Sequence, residues 1–302
     1  MAWLMTFLRA CLVLLCISIS PVLAEEPAPA RKEVATGLVY KVEGGKVPLY
    51  VCGSVHLLTK KDYPLPAGYE TAYAESRRLV FEIPPAELSA EVAGAVMAKY
   101  GVLKEGTLDD LLTDDARKAL SGWAKENGVP MAALSKLPPW LVAIMISQQS
   151  YEAAGMKAQY GLDLHFSKRL EKDGKVGEGF ETAEEQFVML SGFDLKTQME
   201  MVIQSIDEAK EATKELKLLL DAWRAGDAEG LAKIMAESMA AFPEVERVLL
   251  HDRNARWIPK LKAFLADSTP TMVIVGAGHL CGAKGLLALL EKEGFKVSAI
   301  KP

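Results

Sequence analysis

Apolar positions cluster into short, β-branched runs at the two ends of the chain and recur at helical spacing through its middle. Near the start, Gly37-Leu-Val-Tyr-Lys-Val-Glu43, a Gly44-Gly45 break and Val47-Pro-Leu-Tyr-Val51 predict a β-hairpin. A helix over 69–78 then feeds a short strand over 79–83, stopped by Pro84-Pro85. Helices are predicted over 88–100, from the Thr113 cap to Asn127, and over 140–153 and 162–172. A brief strand over 176–180 precedes helices over 183–190, 194–225 and 242–265. The chain closes as a strand over 272–275, a helix over 285–293 and a strand over 295–300. This pattern predicts an α/β fold: a small mixed β-sheet built from the N- and C-terminal parts, interrupted by a large helical section over about residues 86–266.

The first residues obey a different logic. Arg9 precedes an apolar run over 10–19, Ser20-Pro21 breaks it, and Val22-Leu-Ala24 leads into Glu25-Glu26. A charged start, a short apolar stretch and a small-residue cleavage site are the parts of a secretory signal peptide, expected over 1–24 with cleavage after Ala24. Residues 25–36 read as a flexible lead-in and 37–302 as one domain. The expected location is therefore periplasmic or secreted, with no transmembrane anchor after cleavage. Composition adds two limits. Half of the chain is apolar, enough for a substantial core, and the net charge of −5 comes without a basic patch, which excludes nucleic acid as a partner.

Candidate chemistry begins with a repeated frame. Tyr50-Val-Cys-Gly-Ser-Val-His-Leu-Leu58 is matched by Val273-Ile-Val-Gly-Ala-Gly-His-Leu-Cys-Gly282, each a buried-type strand ending in glycine with a histidine three residues on. Of four histidines in the chain, His56 and His279 occupy these frames. Both are expected just beyond the carboxyl ends of strands, where open α/β sheets gather ligands. The glycine at minus three is expected to serve a tight turn with φ above zero. Cys52 and Cys281 flank the two frames, and three readings stay open for them: a disulfide, metal ligation, or buried small apolar residues.

Glu82 lies in Leu-Val-Phe-Glu-Ile, among residues that should be buried. A buried carboxylate needs a metal, a cation or several donors, whereas an edge-strand glutamate would simply face water. Two imidazoles with a carboxylate form a common catalytic metal set. Glu181 begins a helix, so it serves either the site or the helix dipole, and Thr182 with Glu185 fits a capping box. Arg253 is either a solvated helical residue or an oxyanion donor. Asp163 points to the site or to the surface, and His165 and His251 read as structural. No serine-hydrolase elbow, phosphate loop, dinucleotide fingerprint or His-Glu-x-x-His helix is present.

Taken in order, Gly53-Ser-Val-His56, Glu82, Tyr160-Gly-Leu-Asp163 to Phe166, Gly174-Lys175, Glu181-Thr182, Glu185-Gln186, Arg253-Asn254 and Gly276-Ala-Gly-His279-Leu280 resemble the TraB/GumN family. That family is related to the Tiki metalloproteases and more distantly to erythromycin esterase and ChaN-like proteins. The chain departs from the pattern at Asp252, where relatives often carry Glu, and at Gly177-Glu178-Gly179, where a more apolar strand is usual. The resemblance implies a metal-dependent hydrolase, most often a peptidase, acting on a peptide or protein substrate. By position it implies His56, His279 and Glu82 around a divalent ion, with Glu82, Glu181 and Arg253 as catalytic residues. Zinc, manganese, cobalt and iron all suit that donor set. Two alternatives stand beside it: a haem- or metal-binding periplasmic protein without catalysis, and a non-catalytic accessory factor for polysaccharide export.

Overall fold

The computed structural model describes residues 37–300; the expected signal peptide and the lead-in over 25–36 lie outside the described residues. Six strands, β1 (Val39–Glu43), β2 (Leu49–Ser54), β3 (Arg78–Phe81), β4 (Val176–Gly179), β5 (Thr271–Gly276) and β6 (Lys296–Ala299), form one mixed sheet in the order β4-β3-β5-β2-β1-β6. The predicted hairpin is present, with Val39 opposite Cys52 and Val42 opposite Leu49. β3 and β2 flank β5 in parallel, and β4 continues the parallel run beyond β3. Every residue of β2 and β5 is buried, as expected for central parallel strands covered on both faces. β4 is an edge strand and mostly half-buried, so its glycine-rich sequence suits its position.

The helices are α1 (Ala67–Glu75), α2 (Ala90–Tyr100), α3 (Asp114–Glu126), α4 (Pro139–Ala153), α5 (Leu162–Ser167), α6 (Ala183–Ser191), α7 (Leu195–Ala209), α8 (Ala212–Ala225), α9 (Ala228–Met239), α10 (Asp252–Ala266) and α11 (Leu286–Lys292), joined by shorter turns. Side-chain caps set several starts: Thr113 accepts from Ala116 N, Asp194 from Thr197 N at 2.8 Å and Asp227 from Gly230 N at 2.8 Å. α8 ends on Gly226 in the left-handed region, φ 71°. The helical section is interrupted only by β4, and α7 packs along α4 and against α3.

Two predicted helices are divided. The segment over 194–225 is α7 and α8, separated at Lys210-Glu211, where neither glycine nor proline signals a break. The segment over 242–265 begins as a short turn, Pro243–Glu246, passes through a π-helical turn, Arg247–His251, and only then becomes α10. A π turn adds a residue to the helical path and rotates the face beyond it. Here the face so rotated carries Arg253-Asn254, both buried to about 1% exposure. No helix among the described residues is long and apolar enough to cross a membrane.

Candidate functional site

Four neighbouring parallel strands each deliver one ionisable side chain just past their carboxyl ends. In order across the sheet these are Glu181 after β4, Glu82 after β3, His279 after β5 and His56 after β2. The two histidine frames lie side by side because Ser54 pairs with Gly276. The parallel pairing of β2 and β5 therefore sets the two histidine loops beside each other although they are more than two hundred residues apart in the chain.

The His56 half is assembled from backbone. The Gly53 carbonyl accepts from Tyr69 Oη at 2.7 Å and Trp223 Nε1 at 2.9 Å, two buried aromatic donors that fix the root of the loop. Neither Gly53 nor Gly276 has the positive φ expected of it; Gly276 has φ −47°. Gly53 is needed for closeness instead: a Cβ there would stand 3.0 Å from Leu38 and 3.2 Å from the Ala277 backbone. The segment before α5 docks on the same loop, with Leu162 N donating to Val55 O at 3.2 Å. Gly161 lies so near that a Cβ would stand 2.1 Å from the His56 carbonyl oxygen.

That docking aims Asp163 at the imidazole. Its Oδ2 lies 2.6 Å from His56 Nδ1 and also accepts from the Ser54 hydroxyl. A carboxylate partner makes Nδ1 the protonated nitrogen and Nε2 the basic one. The other oxygen, Asp163 Oδ1, is buried without a hydrogen-bond partner among the described residues.

The Glu82 half is a closed ionic cluster. Glu82 Oε1 accepts from Gly276 N at 2.7 Å, and Oε2 accepts from Arg253 Nη2 at 2.5 Å and Gln186 Nε2 at 3.3 Å. Arg253 Nε donates to both Glu181 oxygens, at 3.1 and 2.9 Å, and Nη1 to Leu249 O and His279 Nε2, each at 3.0 Å. Of the five guanidinium N–H groups, four are thus engaged among the described residues, leaving one on Nη2. Glu181 also accepts from Trp257 Nε1 at 3.0 Å and Arg256 Nη2 at 3.3 Å.

Arginine is always a donor, so His279 Nε2 must be an acceptor, and its proton sits on Nδ1 facing Asn254 Oδ1 at 2.7 Å. The Asn254 amide orientation agrees, since its Nδ2 donates to Lys284 O at 2.9 Å and His279 O at 3.2 Å. Complete burial holds the His279 pKa well below the ordinary histidine value, reinforced by the Arg253 and His56 charges. Burial alone would pull Arg253 down, but Glu82 and Glu181 hold it above the usual arginine range.

The profile of the TraB/PrgY/gumN family matches residues 38–299, nearly the whole described domain. The chain belongs to this family. YbaP of Escherichia coli (strain K12), an uncharacterized protein, is 21% identical over 247 residues, covering 82% of this chain and 89% of YbaP. YbaP of Shigella flexneri, also uncharacterized, is 21% identical over 242 residues, covering 80% and 87%. No solved structure matches.

The family resemblance implies a divalent ion held by His56, His279 and Glu82, and the side chains can be tested for it. Both Glu82 oxygens already carry donors, and Arg253 donates to the His279 nitrogen that would ligate. A divalent ion seated there would have to share the His279 Nε2 lone pair and a Glu82 oxygen with a like-charged guanidinium already bonded to both. Among the described residues no three His, Cys, Asp or Glu side chains converge as ligands. As arranged, this donor set does not fit a metal.

Other candidates fall into place around the TraB/PrgY/gumN centre. Asp163, which the sequence leaves between site and surface, belongs to the site. Gln186 and Asn254, visible only as letters in the family pattern, touch Glu82 and His279. Thr182 and Glu185 do form the capping box of α6, so Glu181 stands one residue outside the cap and is free to face Arg253. His165 contacts Glu70 and Arg169, and His251 contacts Glu246, as structural histidines would. Cys52 and Cys281 are free thiols rather than a disulfide: Cys52 is fully buried in β2, and Cys281 Sγ donates to Ala277 O. Burial raises the Cys281 thiol to about 12 and Cys52 higher still, so neither is a ready thiolate.

Proposed function

We propose that this TraB/PrgY/gumN protein is a hydrolase acting on peptide bonds, in which His56 and Asp163 activate the attacking water. The observation that carries the reading is the 2.6 Å contact between His56 Nδ1 and Asp163 Oδ2, anchored by Ser54. A carboxylate on Nδ1 fixes the tautomer and steadies the imidazolium that forms when Nε2 takes a proton. In the proposed step, water oxygen bonds to the carbonyl carbon while its proton passes to His56 Nε2. The C–N bond then breaks, and the same nitrogen returns the proton to the leaving amine. The one uncommitted Arg253 N–H is the donor assigned to the developing oxyanion. The expected exported location suits a substrate outside the cytoplasm.

Peptide-bond specificity rests on the resemblance to Tiki-type peptidases; the His–Asp dyad supports hydrolysis more broadly. A fluorogenic peptide library screened with the wild-type mature chain tests both. Cleavage should fall at least about a hundredfold in His56→Ala and in Asp163→Asn, with circular dichroism unchanged. Undiminished cleavage in both folded variants would remove the basis of the proposal.

A further inference from the structure

We propose that Arg253 is the resident cation of this centre, standing where the family resemblance expects a divalent metal. Three contacts carry the inference. Arg253 Nη2 occupies one Glu82 oxygen, Nη1 occupies the His279 Nε2 lone pair, and Nε spans the Glu181 carboxylate. One guanidinium therefore contacts two of the three residues expected to ligate, together with the next carboxylate along the sheet.

The arrangement is built rather than incidental. Arg253 is 1% exposed, and α10 presents it only after the π turn at Arg247–His251 has rotated the helix face. Its Nη1 is also held by the Leu249 carbonyl inside that turn, which fixes the guanidinium plane. Charge closes as well: Glu82 and Glu181 are matched by Arg253 and Arg256, so the cluster needs no further cation to be neutral. On the other side, Asn254 locks His279 in the tautomer that accepts from Arg253. The same second-partner device would present Nε2 to a metal, and here the guanidinium receives it.

The chemical consequence deepens the hydrolytic reading and rests on it. A guanidinium stabilises an oxyanion by hydrogen bonding and charge but does not bind water and lower its pKa as a metal does. Deprotonation of water then falls wholly to His56 and Asp163.

The test reads metal binding, so it is independent of turnover. The mature chain is purified without chelator or added metal, analysed for bound elements, and titrated with Co²⁺ by calorimetry and visible absorption. Wild type should carry far less than one equivalent of any transition metal and show no Co²⁺ spectrum of an imidazole-ligated site. Arg253→Met frees Glu82 and His279 and should bind Co²⁺ at least about tenfold more tightly than wild type. Adding His279→Ala to that variant should abolish the gain. One equivalent of metal in wild type, removed by His279→Ala, would overturn the inference, as would a folded Arg253→Met that gains no Co²⁺ affinity. Should Arg253→Met not fold, the wild-type measurement decides alone. Metal-free wild type that cleaves no peptide would count against the hydrolytic reading and leave this inference standing.

Discussion

The two halves of the sheet edge use charge in opposite ways. Around Glu82, every carboxylate oxygen has a donor, the guanidinium is nearly saturated, and Glu82 and His279 are completely buried. Around His56, a single carboxylate oxygen serves both the imidazole and Ser54, while its twin, Asp163 Oδ1, has no hydrogen-bond partner among the described residues. An unmet buried acceptor costs on the order of 1–3 kcal/mol, which folded proteins tolerate mainly where a ligand or water completes the bond. In the Glu82 clamp the ionic groups are met and only the neutral Gln186 Oε1 beside Glu82 lacks a partner among the described residues, whereas in the His56 half the unmet acceptor is the carboxylate itself, the group the proposed reaction uses. The two frames share a sequence pattern, but their hydrogen-bond partners differ in kind.

The largest expected effect comes from breaking the clamp. Glu82→Ala leaves Arg253 short of one buried counter-charge and Gly276 N without its acceptor. Removing one member of a buried ion pair costs about 3–5 kcal/mol, to be read as a fall in the urea midpoint. A loss below about 1 kcal/mol would mean that the cluster does not hold the sheet edge together. On the other half the balance should reverse. Asparagine at 163 keeps an oxygen for His56 Nδ1–H while removing the charge, so Asp163→Asn should change stability by no more than about 1.5 kcal/mol. Hydrolysis should drop at least about a hundredfold in the same protein, equivalent to roughly 2.7 kcal/mol. Equal damage to stability and turnover in both variants would erase the distinction between clamp and base.

How far the sequence reveals this contrast depends on the kind of signal. Strand identity, the meeting of the two frames and the burial of Glu82 come from local patterning, because β-branched runs and glycine breaks carry their own geometry. Asp163 is different. Its role is set by docking of the segment before α5 onto the His56 loop, a tertiary contact whose one sequence trace is Gly161. The φ of Gly53 is misjudged for the opposite reason: glycine serves both torsion and closeness, and only neighbours such as Leu38 and Ala277 distinguish them. The saturation of Arg253 is also illegible, since a π turn has no strong sequence signature and this one decides which way the guanidinium faces.

Gly161 offers a smaller and more local way to separate the halves. An added methyl would stand 2.1 Å from the His56 backbone oxygen, so either the loop or α5 must retreat. Overpacking of this kind costs about 1–3 kcal/mol. The retreat should lengthen the His56–Asp163 contact and depress hydrolysis in Gly161→Ala. Low metal content and the Glu82–Arg253 contact should be unaffected, which elemental analysis and a crystal structure of the variant would check.

The mildest effect is a pH dependence to which the clamp contributes through His279. His279 is held neutral in the fold, by burial first and then by Arg253 and His56, with its pKa well below the value of about 6.5 expected when unfolded. Below that value the unfolded chain binds a proton that the folded chain refuses, so stability declines as pH falls. One such group contributes at most about 1.4 kcal/mol per pH unit, beginning near pH 6.5 and continuing until the folded pKa is reached. His251, also lowered by burial, adds a slope of the same sign, so His251→Gln serves as the control. Urea melts between about pH 7 and pH 5 should show the decline in wild type and in His251→Gln. In His279→Gln it should be much flatter, although that protein starts from lower stability. An unchanged slope in His279→Gln would mean that the imidazole already shares a proton with Glu82, 3.7 Å away, and the clamp would have to be redrawn with a charged histidine inside it.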